Sequence, residues 1–86
     1  MVLFLFFSTL LLYLKDTFGI NSHGEINVFL MRSEMASFIG TATESMIRMF
    51  KKFEQSGLVS SKGRAIRILD EERLYNIVNS IELSVH

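Results

Sequence analysis

Apolar residues fill the first stretch almost without a break, from Met1 to Leu14 apart from Ser8 and Thr9. A run apolar on all sides predicts a helix covered on more than one face. It continues to about Phe18 and stops at Gly19, a natural C-terminal cap. Its surplus of apolar surface predicts packing on the rest of the domain along one face and on a second chain along the other. Asn21-Ser22-His23-Gly24 is turn chemistry. Ile26, Val28 and Leu30 then alternate with Asn27 and Phe29, the two-residue period of a short strand. From Ser33 to about Ile39, Met35, Ala36 and Ile39 recur on one helical face until Gly40 breaks the pattern. A longer helical period runs from about Thr43 to Gln55 and ends before Gly57.

Leu58 and Val59 open a strand, Lys62-Gly63 sits where a tight turn belongs, and Ala65 to Leu69 return with Ile66 and Ile68 on one face and Arg67 on the other. Asp70 reads as an N-cap, with Glu71 and Glu72 in the first turn where the helix dipole favours acids. The last helix, about 71–80, carries Leu74, Ile77, Val78 and Ile81 at helical spacing. The fold class is mainly α with a small β-hairpin. Two short helices joined at a glycine and followed by a hairpin describe a winged helix-turn-helix. The chain divides into an apolar helix, residues 1–18, and the winged domain, residues 19–86.

Phasing the 43–55 helix at 100° per residue from Glu44 puts Met49, Phe53, Met46 and Phe50 in one arc at about 140–240°. That arc is the buried face. Glu44, Ile47, Arg48 and Lys51 face outward, with Thr43 at the margin and Lys52 on the flank. Charge sharpens this picture. The net charge is zero, yet residues 31–69 hold seven bases (Arg32, Arg48, Lys51, Lys52, Lys62, Arg64, Arg67) against three acids (Glu34, Glu44, Glu54). A basic middle between neutral and acidic ends is the footprint of an anionic partner. Two bland alternatives exist for the acid. Glu44 and Arg48 can form an i,i+4 pair worth about 0.2–0.5 kcal/mol, or Glu44 can close a capping box with Thr41. Neither accounts for the clustering of bases on this helix and the hairpin. In the functional reading, Arg48 presents a fork to guanine O6 and N7, Glu44 accepts from the cytosine amine, and Ile47 meets a thymine methyl. Lys51, Lys52, Lys62 and Arg64 then hold phosphates, which set affinity and register rather than sequence.

Other classes are bounded by what is missing. The chain has no cysteine, so it offers no disulfide and no thiol chemistry. His23 lies in a turn and His86 is the last residue, and the carboxylates do not cluster, so no nucleophile–base pair, metal site or cofactor site is predicted. The chain is not expected to be an enzyme. The opening run is shorter than the roughly 18 apolar residues that span a bilayer, and no basic residue precedes it as in a signal peptide.

Residues 32–70, "RSEMASFIGTATESMIRMFKKFEQSGLVSSKGRAIRILD", closely resemble the DNA-binding domain of the Crp/Fnr family of bacterial transcription regulators. The helix-turn-helix pattern is carried by Arg32, Glu34, Met35, Ala36, Ile39-Gly40-Thr41, Glu44-Ser45, Arg48, Phe53-Glu54 and Gly57-Leu58-Val59. Lys62-Gly63-Arg64 matches the wing, and Ile66 and Ile68 the return strand. A looser similarity reaches back to about Leu10. The resemblance implies sequence-specific binding of double-stranded DNA from the cytoplasm, without an effector site in this chain. It implies that Thr43, Glu44, Ile47 and Arg48 read bases, and that Arg32, Ser33 and Thr41 join the lysines and Arg64 on phosphates. It also implies a contact with the RNA polymerase α subunit through Asn21, Ser22, His23, Gly24 and Glu25, residues that equally make an ordinary polar turn. A homodimer through residues 2–14 is the corresponding expectation for assembly.

Three departures stand out. Met31 replaces the usual Thr at the first N-cap, Ile47 replaces a small or polar residue, and no sensor β-barrel or long dimer helix fits in the 30 residues before the motif. The competing readings are a winged-helix module that binds protein and not DNA, and a small protein anchored to a membrane by residues 1–14.

Overall fold

The computed structural model describes residues 2–84, with side chains from 3 to 79. Its elements are α1 (Val2–Phe18), α2 (Arg32–Ile39), α3 (Thr43–Gln55), β1 (Val59–Lys62), β2 (Ala65–Ile68) and α4 (Glu71–Ser84). This is the winged helix-turn-helix expected from the sequence. The last helix extends beyond the expected residue 80, and Ile81 lies outside the described side chains.

α1 is built into the core. Phe7, Leu10, Leu11, Leu12 and Leu14 are buried, together with Ser8. The Phe7 ring meets Phe53 edge-on at 4.8 Å and Phe50 at 5.6 Å. The helix packs mainly on α4, and also on α2 and α3. Most of the apolar surplus that suggested a second chain is therefore covered within the same chain. A strip stays open along the helix, with Phe6, Thr9 and Tyr13 exposed, and its end is open too, at Asp16, Thr17 and Phe18. Among the described residues no helix is long and apolar enough to cross a membrane.

The joint between α2 and α3 is set by Gly40. It lies at φ 73°, the left-handed region that side chains other than glycine enter at a cost. There the Gly40 N–H donates to the Ser37 carbonyl (3.4 Å) and the Thr41 N–H to the Ala36 carbonyl (3.0 Å). This pair of bonds satisfies the carbonyls at the end of α2 and turns the chain sharply into α3.

Two local expectations are corrected. The alternating stretch 26–30 is no strand; it makes a single bridge, Ile20 with Ile26. Its burial does alternate, since Ile26 is buried while Asn27 and Phe29 are exposed. The Val28 N–H, however, turns back onto the Ile26 carbonyl at 2.8 Å, which bends the backbone away from any partner. In the wing, Lys62 pairs with Ala65, so the two-residue turn is Gly63-Arg64 and not Lys62-Gly63. Gly63 has φ 62° and Arg64 does not have a positive φ. That combination, glycine first, suits the right-handed twist of a hairpin.

Candidate nucleic-acid interface

α3 carries the proposed reading face, and its rotation follows from its own sequence. Met46, Met49, Phe50 and Phe53 are buried, so the helix is held by a stripe of large side chains along one side. Fully burying a Phe or Met contributes about 1.5–3 kcal/mol, enough to set the phase of a 13-residue helix. Thr43, Glu44, Ile47, Arg48 and Lys51 are exposed on the other side. Ile47 keeps 49% of its surface open on this face.

Neither bland alternative for Glu44 is formed. No hydrogen bond or ion pair holds Glu44 or Arg48 among the described residues. The N-cap of α3 is Ala42, with no side-chain cap bond, so Thr41 and Glu44 do not make a capping box. Glu44 sits in the first turn, at the positive end of the helix dipole. Arg48 lies one turn further along on the same outward face. Both side chains are free to meet a ligand.

The expected phosphate-binding residues fall into groups. Lys62 and Arg64 are exposed at the wing tip, and Lys51 projects from α3. Lys52 is exposed but leans toward α1, its ammonium 5.9 Å from the Phe4 ring centre. Ser33 is exposed at the start of α2, and Thr41 is half-buried in the turn after it. Arg32 is the most enclosed: its guanidinium lies over the Phe50 ring at 3.8 Å. Burial lowers its pKa from the ordinary arginine value, opposed by the charge of Glu54, and it remains cationic at any relevant pH. Wing and helix are tied together by the Ser61 hydroxyl, which donates to Glu54 Oε2 at 3.0 Å.

The 21–25 loop is a wired turn. Asn21 Oδ1 accepts from the N–H groups of His23 (2.9 Å) and Glu25 (3.0 Å). Asn21 N–H donates to the Glu25 carbonyl at 2.8 Å, and Gly24 N–H to the Asn21 carbonyl at 3.1 Å. Ser22, His23 and Gly24 are left exposed at its tip. The sequence reading missed what lies behind it. Arg67 of β2 donates from its guanidinium to the His23 carbonyl at 2.5 Å. No local pattern could have revealed a contact across 44 positions. Lys15 of α1, bonded to Glu71 of α4 at 2.6 Å, was missed for the same reason. Among the described residues, no His, Cys, Asp and Glu side chains gather in a group of three that could hold a metal ion.

A glycine-jointed helix pair, a two-stranded wing and an outward face of unpaired acid and base define a winged helix-turn-helix of the nucleic-acid-binding kind. The Crp-like helix-turn-helix domain family matches residues 8–77, and the chain belongs to it, as a DNA-binding domain of the Crp/Fnr class. It is 34% identical over 50 residues to the transcriptional activator protein Anr of Pseudomonas aeruginosa, covering 58% of this chain and 20% of that one. The transcriptional activator protein FnrA of Stutzerimonas stutzeri is 35% identical over 49 residues, 57% of this chain and 20% of its own. The chain thus spans about a fifth of the length of these curated relatives. Among solved structures, a protein assigned to the Crp/Fnr family of regulators from Eubacterium rectale superposes with a TM-score of 0.79 at 26% identity, over 90% of this chain and 33% of that one. FixK2 of Bradyrhizobium japonicum matches with a TM-score of 0.74 at 20% identity, over 86% and 37%, a likeness of fold alone.

Proposed function

We propose that this chain is a sequence-specific reader of double-stranded DNA that acts in transcription regulation, laying α3 in the major groove. The observation that carries the reading is the outward pair Glu44 and Arg48. They are unpaired with each other and stand opposite the buried Met46–Phe53 stripe. An acid and an arginine that do not neutralise one another on an exposed helix face leave both groups available for base edges. Arg48 takes the O6/N7 edge of a guanine, Glu44 the amine of a cytosine, and Ile47 the methyl of a thymine, with Thr43 beside them. Lys51, Lys52, Lys62 and Arg64 hold the flanking phosphates, and Ser33 and Thr41 brace the approach from α2. Arg32 is partly spent on the Phe50 ring and offers the backbone only the free edge of its guanidinium. The exposed tip Ser22–Gly24 is the surface available to a protein partner, which the resemblance names as the RNA polymerase α subunit.

The experiment is fluorescence anisotropy on a half-site selected from a random duplex library and on its scrambled counterpart, at two salt concentrations. Arg48→Ala is expected to cost about 1–3 kcal/mol on the selected site and much less on the scrambled one. Glu44→Ala relaxes specificity more than it lowers affinity, because it deletes one base contact and also a repulsion with phosphates. Lys52→Ala weakens both duplexes alike and flattens the salt dependence by roughly one phosphate contact. Equal weakening of both duplexes by Arg48→Ala would make Arg48 a phosphate anchor and defeat the readout.

A further inference from the structure

Arg67 counts toward the basic excess of residues 31–69, yet its position sets it apart from the other bases there. It stands opposite Ser60 in the hairpin, on the side away from buried Ile66. Its guanidinium does not extend outward with Lys62 and Arg64. It folds back over the 21–25 loop and donates to the His23 carbonyl at 2.5 Å. Gly24 is required by the backbone of the loop and not by the approach of the arginine. Its φ is 79°, which side chains enter at a cost, while a Cβ there would only touch Arg67 Nε at an ordinary contact distance of 3.5 Å. Next to this contact the Ile26 N–H donates to the Ile66 carbonyl at 2.8 Å, so backbone and side chain fasten the same loop to the same strand. A charge-assisted bond to a loop carbonyl holds the loop in one arrangement. The strand that supplies it runs directly into the wing tip.

We propose that Arg67 is a positioning residue that clamps the 21–25 loop to the wing and does not itself contact DNA. The loop is then held by the element that carries Lys62 and Arg64, and the arrangement of the exposed Ser22–Gly24 tip is set by the wing. Part of this proposal rests on the reading of the wing as a DNA-contacting element, and the experiment separates the two.

The first arm uses the free protein. Amide hydrogen exchange at Asn21, His23, Gly24 and Glu25 is measured in the wild type, in Arg67→Ala and in Arg67→Lys. Loss of one charge-assisted bond at an exposed site should speed exchange at these amides about three- to tenfold in Arg67→Ala, with core amides of α3 unchanged. Arg67→Lys should recover part of the protection, since an ammonium can still donate to the carbonyl. Unchanged loop exchange in Arg67→Ala overturns the clamp, and so does acceleration spread evenly over the whole chain. The second arm measures the salt dependence of binding to the selected duplex. Arg67→Ala should leave the slope as in the wild type, whereas Arg64→Ala lowers it by about 0.9, one phosphate. A drop of that size in Arg67→Ala would make Arg67 a phosphate anchor and overturn the proposal. Failure of the wild type to bind any duplex would defeat the DNA reading, while the exchange arm would still decide whether Arg67 holds the loop.

Discussion

Ser8 is fully buried, and its hydroxyl finds no partner among the described residues. It stands in a helix between Phe7 and Thr9, at the level where the Phe7 ring meets Phe50 and Phe53. A buried hydroxyl without a hydrogen bond has lost its water and gained nothing in exchange. Ser8→Ala removes that oxygen, leaves the rest of the side chain in place and improves helix propensity. The expected gain is about 1 kcal/mol, seen as a rise of roughly 4–8 °C in the thermal midpoint. A lower midpoint would mean that the hydroxyl is satisfied, for instance by water. Arg32 shows the opposite arrangement. Its charge is also drawn in from solvent, but the Phe50 ring at 3.8 Å and the nearby Glu54 charge compensate it.

At the scale of elements, α2 is the short helix with an incomplete start. Its N-cap is Met31, which offers no side-chain oxygen to the free N–H groups of the first turn. Glu34 supplies the return half of a capping box, its Oε1 accepting from the Met31 N–H at 2.8 Å. The forward half falls to the Met31 thioether, a weak acceptor, and Ser33 lies inside the helix with its carbonyl accepting from Ser37 Oγ at 3.1 Å. Met31 is 50% exposed, so replacing it leaves no large hole in the core. Met31→Thr should therefore replace the weak thioether acceptor with a hydroxyl and stabilise the domain by about 1 kcal/mol. In urea denaturation the midpoint should rise at an unchanged slope. An unchanged midpoint would show that backbone geometry at residue 31 keeps the hydroxyl from the N–H groups. The same gain would firm the N-terminal anchor of Ser33 and Arg32, beside the proposed DNA backbone contacts.

For the molecule as a whole, the tie between its two terminal helices is electrostatic as well as apolar. Lys15 on α1 donates to Glu71 on α4 at 2.6 Å. The hydrogen bond it donates to Glu71, more than the charge of that carboxylate, raises the pKa of Lys15 above its ordinary 10.5. A lysine whose pKa is raised on folding binds its proton more tightly in the folded state. Its contribution to stability is fully present below pH 10.5 and is lost as pH climbs through the raised value. For a pair this exposed the contribution is at most about 1 kcal/mol. Lys15→Met should lower stability by up to that amount at pH 7. It should also flatten the fall in stability above pH 10.5 relative to the wild type. Parallel falls in the two proteins between pH 7 and 11 would show that the pair does not couple folding to this proton.

The rotation of α3 was legible from spacing alone. Met46, Met49, Phe50 and Phe53 repeat at the helical period, so burying them leaves Glu44 and Arg48 facing out whatever they pack against. The Asp70 cap was legible too, because it acts three residues away, where the Arg73 N–H donates to its carboxylate at 3.2 Å. The destination of the apolar opening run was not. Twelve apolar residues among the first fourteen say that α1 must be covered, and only the tertiary structure decides that α4, α3 and α2 cover most of it. The alternation at 26–30 likewise names a face without supplying a neighbour, and a strand exists only where a second strand pairs with it. The role of Arg67 lay furthest from reach, since its partner is a backbone carbonyl 44 positions away, a group every residue carries. Periods, caps and turns act over a few residues and are written in the order of the chain. Contacts between distant segments depend on which faces the packed core brings together.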